Sequence, residues 1–488
     1  MVSFILSILA LVIGYILYGA FVDKVFGPDP SRKTPAIEKA DGVDYVAMPA
    51  WKVYMIQFLN IAGTGPIFGA IMGAKFGPSS YLWIVFGCIF AGAVHDYMCG
   101  MLSVRNGGAG FPELVGKYLG GGTRKVMLVF SLILLLLVGT VFVYSPALIL
   151  GDIAGSGDRL SIMIWVGAIF IYYMVATLLP IDKLIGRIYP LFAVALLFMA
   201  AALMVCLFVK WPSLPEFWDG LGGWADKAGI GDQPLFPCLF ITIACGAISG
   251  FHATQSPLMA RCITNEKMGR PIFYGSMITE GLVALIWAAV SSWFFFDGGA
   301  AEVGADTTAA APTVVTKVAE SWLGLLGGIL AILGVVAAPI TSGDTAFRSA
   351  RLILADFLRT EQHSIGKRLM IAVPLFALSA LLLWYNIADS SGFNTIWRYF
   401  GWSNQTLAAF MLWTATAYFV KSKGGLWYLI TLLPALFMTS VCVTFILVDK
   451  TGFGITPTAI PWIAIGTFVI SLVLFYAIKS KKYFAKSK

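Results

Sequence analysis

The chain is a succession of apolar runs, each long enough to cross a bilayer, separated by short charged connections. Inside a bilayer every backbone polar group must be satisfied within the protein, which a helix achieves along its own length. A run of about 20 apolar residues is typical of one spanning helix. Because 59% of the residues are hydrophobic and only 12% are charged, we predict an all-α polytopic membrane protein.

We count thirteen such runs and therefore predict about 13 transmembrane helices. The first run lacks a preceding basic segment and is longer than the apolar core of a signal peptide, so we expect it to be retained as a span. The thirteen runs lie near residues 2–22, 51–74, 80–103, 126–150, 160–180, 188–209, 235–257, 272–297, 322–343, 369–388, 394–420, 426–448 and 458–478.

Lysine and arginine are distributed unevenly between the two sets of connections. The connections after odd-numbered spans, together with the C-terminal tail, hold 26 of the 33 basic residues, and the other set holds seven. Because cytoplasmic connections carry the excess of basic residues, we expect an extracytoplasmic N-terminus and a cytoplasmic C-terminus. The same topology explains the net charge of +8, and no nucleic-acid-binding module is visible.

Two of the predicted spans are interrupted by small and polar residues. The second contains Asn60-Ile-Ala-Gly-Thr-Gly-Pro66, and the seventh, Leu235–Pro257, contains glycine, serine and histidine at mid-span. They lie five spans apart and enter the membrane from opposite sides, as expected for two inverted repeats that each begin with a discontinuous helix. Two alternatives stay open: glycine and proline are frequent in membrane helices, and Gly246 and Gly250 form a GxxxG packing motif.

The repeats divide the chain into six segments. The first helix is 1–22, a cytoplasmic connection is 23–50, and an extracytoplasmic loop is 210–234. The first core repeat (helices 2–6) is 51–209, the second (helices 7–11) is 235–420, and helices 12–13 with a basic cytoplasmic tail form 421–488.

The predicted breaks are candidate substrate sites. The N-terminus of a half-helix presents unpaired amides and a positive dipole end, which suit an anionic group such as a carboxylate. We expect the substrate to bind at Gly63, Thr64, Gly65, Pro66, Gly246, Ser249, Gly250 and His252.

Ionisable residues within the spans are candidates for proton coupling, because a buried charge in a membrane defaults to a functional hypothesis. His95 and Asp96 lie well inside the third span, Glu280 lies nearer the cytoplasmic end of the eighth, and His252 lies in the seventh. A structural hydrogen bond for His95-Asp96 and a helix-packing ion pair for Glu280 are the alternatives.

A candidate sodium site lies in the ninth span, where Thr341, Ser342 and Asp344 supply the hard oxygen ligands that a small cation needs. Asp344 has two structural alternatives, an ion pair with Arg348 at i+4 and the cap of a cytoplasmic helix over 345–358. Two further polar residues, Asn404 and Gln405, are interpreted as hydrogen-bonding residues between helices.

Six long segments are distinctive: PDPSRKTPAIEKADGVDYV (28–46), FLNIAGTGPIFG (58–69), AGAVHDYM (91–98), LFPCLFITIACGAISGFHA (235–253), TSGDTAFRSARLILAD (341–356) and FNTIWRYFGWSNQTLA (393–408). Together they resemble the carbon starvation protein A family. The resemblance runs from the first span through the eleventh, and it implies an inner-membrane transporter of the amino acid/polyamine/organocation superfamily with a LeuT-like 5+5 core. It also implies peptide uptake and, in some members, pyruvate import driven by protons, with a sodium site between Ala62–Gly65 and Thr341/Ser342.

Other function classes find less support. The chain has three histidines and seven scattered cysteines, without HExxH, GxSxG, a CxxC pair or clustered acids, which argues against an enzyme or a metal protein. A channel would show a repeated filter or rings of like charge. We therefore predict a secondary transporter for small carboxylate-bearing nutrients, coupled to H⁺ or Na⁺ and using no cofactor. The alternative is a membrane sensor that binds the same ligands without concentrative transport.

Overall fold

The computed structural model describes residues 1–153, 158–178, 181–362, 364–388 and 392–486. Its described residues form helices and connecting loops, without β-strands. The helices of the first half are α1 Val2–Phe26, α2 Pro35–Glu38, α3 Ala50–Ile61, α4 Ala70–Ala74, α5 Ser79–Gly87, α6 Ala93–Arg105, α7 Phe111–Leu119, α8 Gly121–Ile153, α9 Arg159–Leu178 and α10 Ile181–Lys210. Those of the second half are α11 Trp224–Lys227, α12 Leu235–Thr242, α13 Phe251–Ala260, α14 Gly275–Phe296, α15 Gly299–Glu302, α16 Ala311–Leu358, α17 Ile365–Ala388, α18 Gly392–Ser422, α19 Leu429–Val448 and α20 Ile460–Lys486.

The number of spans agrees only in part with the prediction. Among the described residues, nine helices are long and apolar enough to cross a membrane, and one bent pair makes ten. The remaining predicted spans, near 235–257, 322–343 and 394–420, fall on α12 with α13, on α16 and on α18, which are helical and are not among the spans counted over the described residues. The count of thirteen therefore stays a prediction.

Both predicted interruptions are confirmed. The helix α3 ends at Ile61, three residues follow outside any helix, and the chain resumes as a π-helical turn, Gly65–Gly69, that leads into α4. The axis bends by 54° across this break. In the seventh predicted span, α12 and α13 are separated by residues 243–250. Glycine disfavours the helix and Pro66 lacks a backbone donor, so the helix stops where the sequence places these residues.

Burial separates central helices from lipid-facing ones. The most apolar stretches of Ser79–Arg105 and Glu266–Phe296 are 83% and 89% buried within the protein, whereas those of α1 and Pro457–Ser480 are 28% and 0% buried. Apolar side chains that remain exposed on a helix of membrane-spanning length face lipid rather than water. The α5–α6 and α14 segments therefore form the centre, and α20 lies at the periphery.

Glu266 joins several connections at the end of the molecule that carries most of the basic residues. Its side chain is fully buried and accepts hydrogen bonds from the backbone of Asp29 at 2.7 Å and from the guanidinium groups of Arg32 at 3.1 Å and Arg105 at 3.0 Å. A buried carboxylate is costly unless it is paired and hydrogen-bonded, and the bonds from Asp29, Arg32 and Arg105 supply that pairing. Glu266 thereby links the connection that follows α1 to the end of α6.

The remaining connections meet at the opposite end. The amino group of Met1 contacts Glu216, Lys210 lies 3.0 Å from Glu302, and Arg398 lies 2.7 Å from Asp449. Each of these pairs joins residues that the alternation of basic charge assigns to one and the same side. The described ion pairs between connections therefore segregate into two ends, in agreement with the predicted alternation.

Candidate functional site

The two helix breaks lie against each other. A Cβ atom built on Gly65 would lie 2.3 Å from Sγ of Cys245, and one built on Gly246 would lie 3.8 Å from Cα of Pro66. A separation of 2.3 Å is far inside van der Waals contact, so only glycine fits at position 65. The fold thus brings together the two groups of residues predicted to bind substrate.

The glycines of the second break are also in close contact with neighbouring helices. A Cβ on Gly246 would lie 2.5 Å from Cβ of Ala284 on α14, and one on Gly250 would lie 2.2 Å from the carbonyl oxygen of Asn404 on α18. The close approach expected from the GxxxG alternative is therefore present. It is compatible with a substrate site, because both functions need a backbone that a neighbour can reach.

A small cavity marks the junction of the breaks. Its volume is about 10 Å³, and its lining includes Gly65, Cys245, Trp397 and Phe400. A space of this size accommodates about one water molecule. The conformation described here is therefore closed at this point, with aromatic side chains of α18 beside the breaks.

The amide side chain of Asn404 caps the second half-helix. Its Oδ1 accepts hydrogen bonds from the backbone N–H of Phe251 at 2.6 Å and from Oγ of Ser249 at 3.1 Å. The neighbouring Gln405 donates from Nε2 to the carbonyl oxygen of Phe240 at 2.9 Å. The predicted role of Asn404 and Gln405 between helices is confirmed, and Asn404 also satisfies an amide that the break exposes.

Four ionisable side chains form a continuous chain just beyond this cap. On α6, Nδ1 of His95 lies 2.7 Å from Oδ1 of Asp96; the other oxygen, Oδ2, lies 2.9 Å from Nδ1 of His252 on α13. Nε2 of His252 lies 3.5 Å from Oε2 of Glu280 on α14. All four side chains are fully buried. We call these four residues the acid–histidine chain.

The hydrogen-bond roles in the acid–histidine chain follow from its chemistry. An ionised Asp96 carboxylate can only accept, so each histidine donates its Nδ1–H to it. The Nε2 atom of a neutral His252 is then an acceptor that faces Glu280, and a protonated Glu280 is the complementary donor. Nε2 of both histidines and both oxygens of Glu280 are buried without a hydrogen-bond partner. The acid–histidine chain can therefore accept an added proton at either end, on Nε2 of His95 or between His252 and Glu280.

Glu280 has a contact that the sequence did not indicate. It lies in the first part of α14, as its position in the eighth span suggests, and its side chain meets His252 beside the second helix break. The prediction considered each helix separately, whereas α6, α13 and α14 bring their polar residues to one depth. Both a proton-carrying role and an ion pair between helices stay open for Glu280.

The candidate sodium residues lie where α16 passes the first break. Oγ of Ser342 donates to the carbonyl oxygen of Leu59 at 3.0 Å, and Ala62 leaves helical geometry with φ −80° and ψ 55°. The Thr341 hydroxyl donates back to the carbonyl of Ala337 at 2.9 Å. These contacts place Ser342 against the break that contains Ala62 and Gly65.

Asp344 is oriented by a tyrosine that the sequence did not single out. Oδ2 of Asp344 accepts from the hydroxyl of Tyr189 at 2.7 Å, and Oδ1 is buried without a hydrogen-bond partner. The alternative in which Asp344 caps a separate helix over 345–358 is wrong, because α16 continues without a break through Asp344 to Leu358. A carboxylate inside a helix has no free amides to cap.

Cys245, Trp397, Phe400 and Tyr189 are the site residues that sequence reasoning missed. Each is an ordinary apolar or aromatic residue within a span, and nothing in its local sequence separates it from packing residues. The only available signal was proximity to a break for Cys245.

Among the described residues, no group of three or more histidine, cysteine, aspartate and glutamate side chains is arranged to hold a metal ion.

Comparison with known proteins identifies relatives along most of the chain. The family described as carbon starvation protein CstA matches residues 1–149, 152–323 and 308–445. An uncharacterised membrane protein of Haemophilus influenzae is 48% identical over 341 residues, which cover 60% of this chain and 91% of that protein. The peptide transporter CstA of Escherichia coli K12 is 27% identical over 88% of this chain and 78% of its own length. The pyruvate/proton symporter BtsT of the same organism is 25% identical, with coverage of 90% and 80%.

A solved structure shares the fold. A manganese transporter of Eremococcus coleocola, crystallised with an aromatic bis-isothiourea compound, superimposes with a TM-score of 0.57, covering 91% of this chain and 99% of that one. Its sequence identity is 12%, so the likeness extends to the fold alone. The family match covers far more than half of the chain and includes both helix breaks. This multi-pass membrane protein therefore belongs to the carbon starvation protein CstA family.

Proposed function

We propose that this chain is a cation-coupled secondary transporter that imports small carboxylate-bearing nutrients, peptides or pyruvate, by alternating access. The observation that carries the proposal is the acid–histidine chain, which runs from α6 to α14 and includes His252 on the half-helix after the second break. The family relatives named as a peptide transporter and a pyruvate/proton symporter support the substrate class.

The proposed architecture is a LeuT-like core of two inverted five-helix repeats, 51–209 and 235–420, within thirteen spans. It places the protein in the amino acid/polyamine/organocation superfamily and in the inner membrane, with the N-terminus outside and the C-terminus in the cytoplasm. The two confirmed helix breaks support the repeats, and the segregated ion pairs together with the basic residues support the orientation.

Substrate binding in this proposal uses both breaks. Backbone amides around Gly63–Pro66 and Gly246–Gly250 would hold the carboxylate, since half-helix N-termini favour an anion. The two breaks must separate to admit a ligand, because the cavity between them now holds about 10 Å³. Substrate entry therefore requires the Gly65–Cys245 contact to open.

Proton coupling follows from the position of His252. A proton taken up between Glu280 and Nε2 of His252 adds positive charge near the carboxylate site, so proton and anion stabilise each other when both are bound. The bound pair is neutral overall, which lowers the cost of carrying it through a low-dielectric interior. Coupling is reciprocal, so the substrate must also raise the affinity for the proton.

Sodium is the other candidate ion, with Ala62, Gly65, Thr341, Ser342 and Asp344 as its site. The unpartnered Oδ1 of Asp344 and the approach of Ser342 to the first break support it. Changing Thr341→Ala and Ser342→Ala together should abolish a sodium dependence of uptake. A sodium dependence that survives in the double variant would remove this assignment.

The proposal is tested by uptake into proteoliposomes that contain the purified protein. Labelled pyruvate and a labelled dipeptide are each offered under an imposed proton gradient and under an imposed sodium gradient. Concentrative, saturable uptake of one substrate under one gradient is the expected result. Saturable binding without concentrative uptake in all four arms would contradict transport of these substrates and would favour the sensor function.

A further inference from the structure

A long groove runs between α18 and the peripheral helix α20 and reaches the C-terminal end of α7. Its volume is about 360 Å³. Aliphatic and aromatic side chains form most of its wall, including Trp413, Val420, Leu474 and Phe475, and none of the described lining residues is acidic. We call this cavity the α18–α20 groove.

The groove opens towards the lipid. The most apolar stretch of Pro457–Ser480 has none of its residues buried within the protein, and Leu474 and Ile478 on the groove are 55% and 57% exposed. Phe475 reaches inwards and contacts the rings of Trp413 and Tyr428, with centroids 6.1 Å and 5.5 Å away. The helix α20 therefore rests on its neighbour through this ring and leaves an apolar cleft beside it.

Two lysines stand at one end of the groove. Lys421, at the C-terminal end of α18, donates from Nζ to the carbonyl oxygen of Tyr118 at 3.0 Å. Lys479, on α20, places Nζ 3.9 Å from the ring centroid of Tyr428. Both lysines belong to the basic set of connections. This end of the groove therefore carries two positive charges.

We infer that the α18–α20 groove binds an anionic phospholipid. The cleft fits an acyl chain, which is apolar and reaches the protein from the bilayer, and the lysines lie where the phosphate of the headgroup would be. Basic pockets between membrane helices on the positively charged side select anionic headgroups in this way. A zwitterionic lipid brings the same chain but no net charge, so it binds more weakly.

The attraction between the lysines and the charged headgroup is tested with the full-length protein purified in detergent. Phosphatidylglycerol and phosphatidylcholine with identical acyl chains are added, and bound lipid is counted by native mass spectrometry. We expect phosphatidylglycerol to be retained preferentially and to raise Tm. The double variant Lys421→Gln/Lys479→Gln should lower this preference roughly 30-fold, the attraction expected of two lysines for an anionic surface.

A double variant with the same loss of charge is the matched control. Lys227→Gln/Lys450→Gln removes two lysines that belong to the opposite end, and Lys450 is paired there with Asp232. This control should retain the preference of the unaltered protein. Equal retention of both lipids by the unaltered protein, or an equal loss in both double variants, would overturn the inference.

The contribution of the acyl chain to binding is tested by filling the cleft. Ala417 lies on the wall of the groove, and Ala417→Trp should reduce the retention of both lipids while the lysines remain. Glycerol phosphate, the soluble headgroup, should raise Tm less than phosphatidylglycerol does. An equal rise in Tm with glycerol phosphate would show a free-phosphate site. A change in oligomeric mass in Ala417→Trp, with lipid retention unchanged, would show a contact between copies of the protein. Either result would overturn the lipid assignment.

Discussion

At the scale of single residues, the proposed coupling depends on side chains that can exchange a proton within the acid–histidine chain. Asp96 is bound by two imidazoles, whereas the ion-pair contact of Glu280 among the described residues is with Nε2 of His252, at 3.5 Å. This distance exceeds an ordinary hydrogen bond by a few tenths of an ångström. A small displacement of α13 against α14 is enough to make or break the contact.

The variant Glu280→Gln should uncouple transport from protons. Glutamine keeps the volume of the side chain but cannot release a proton, so proton-driven uptake should fall roughly five- to 150-fold, the range of ordinary coupling free energies. Exchange of labelled for unlabelled substrate at equal pH needs no net proton movement and should persist. Both quantities are measured in proteoliposomes.

Glu302→Gln is the matched control, since Glu302 lies outside the bundle with a half-exposed side chain 3.0 Å from Lys210. It should leave proton-driven uptake unchanged, because surface ion pairs contribute little. Undiminished proton-driven uptake by Glu280→Gln would show that the acid–histidine chain serves packing.

At the scale of elements, the contact between the two breaks depends on the absence of a side chain at Gly65. The variant Gly65→Ala places a methyl group 2.3 Å from Sγ and 2.4 Å from Cβ of Cys245. Overpacking of this kind typically costs about 1–3 kcal/mol, so Tm and uptake should both fall. The double variant Gly65→Ala/Cys245→Gly should recover Tm, because it removes the atoms that clash.

Gly167→Ala serves as the control for the helix substitution itself, because nothing lies within 4 Å of a Cβ at Gly167 on α9. It should keep or slightly raise Tm, since alanine favours the helix. A Gly65→Ala variant as stable as Gly167→Ala would contradict the described contact between the breaks.

The sequence carries enough information to place the breaks but not to assemble the site. A helix stops locally, where Gly63, Gly65 and Pro66 remove helix preference and a donor, so both interruptions could be predicted. The meeting of His252 with Asp96 and Glu280 depends on how α6, α13 and α14 pack over long separations in the chain. Nothing local distinguishes these residues from structural hydrogen-bonding partners.

At the scale of the whole molecule, the connection after α1 packs across one end of the helix bundle and forms ion pairs with α16. Asp44 in this connection is buried and lies 3.5 Å from Arg348 and 3.9 Å from Arg351 on α16. Burial by itself would raise the pKa of the Asp44 carboxyl, but the two guanidinium groups outweigh burial and hold the pKa below its ordinary value. The charged form of Asp44 therefore stabilises the folded protein.

This predicts a pH dependence with a definite sign. Because the folded pKa of Asp44 lies below the unfolded value of about 4, its contribution is complete at neutral pH and is lost as pH falls through the folded pKa. The variant Asp44→Asn should therefore have a lower Tm than the unaltered protein at pH 7, and the two should converge below about pH 4. Thermal unfolding in detergent across this range measures the difference.

Asp232→Asn is the comparison variant, since Asp232 forms an ion pair with Lys450 in which both side chains are largely exposed. Its Tm should follow that of the unaltered protein at every pH, because exposed ion pairs contribute little. A constant difference between Asp44→Asn and the unaltered protein down to pH 3 would contradict the role given to the Asp44 charge.

The proposed movement of substrate and proton together across the membrane is tested by the pH inside proteoliposomes during substrate entry. Pyruvate or a dipeptide is added outside at equal pH, with the membrane potential clamped and a pH-sensitive dye in the lumen. Transport with a proton predicts that the lumen becomes acidic as the substrate enters, and that Glu280→Gln and protein-free vesicles show no such change. Substrate entry through the unaltered protein without acidification would contradict proton coupling.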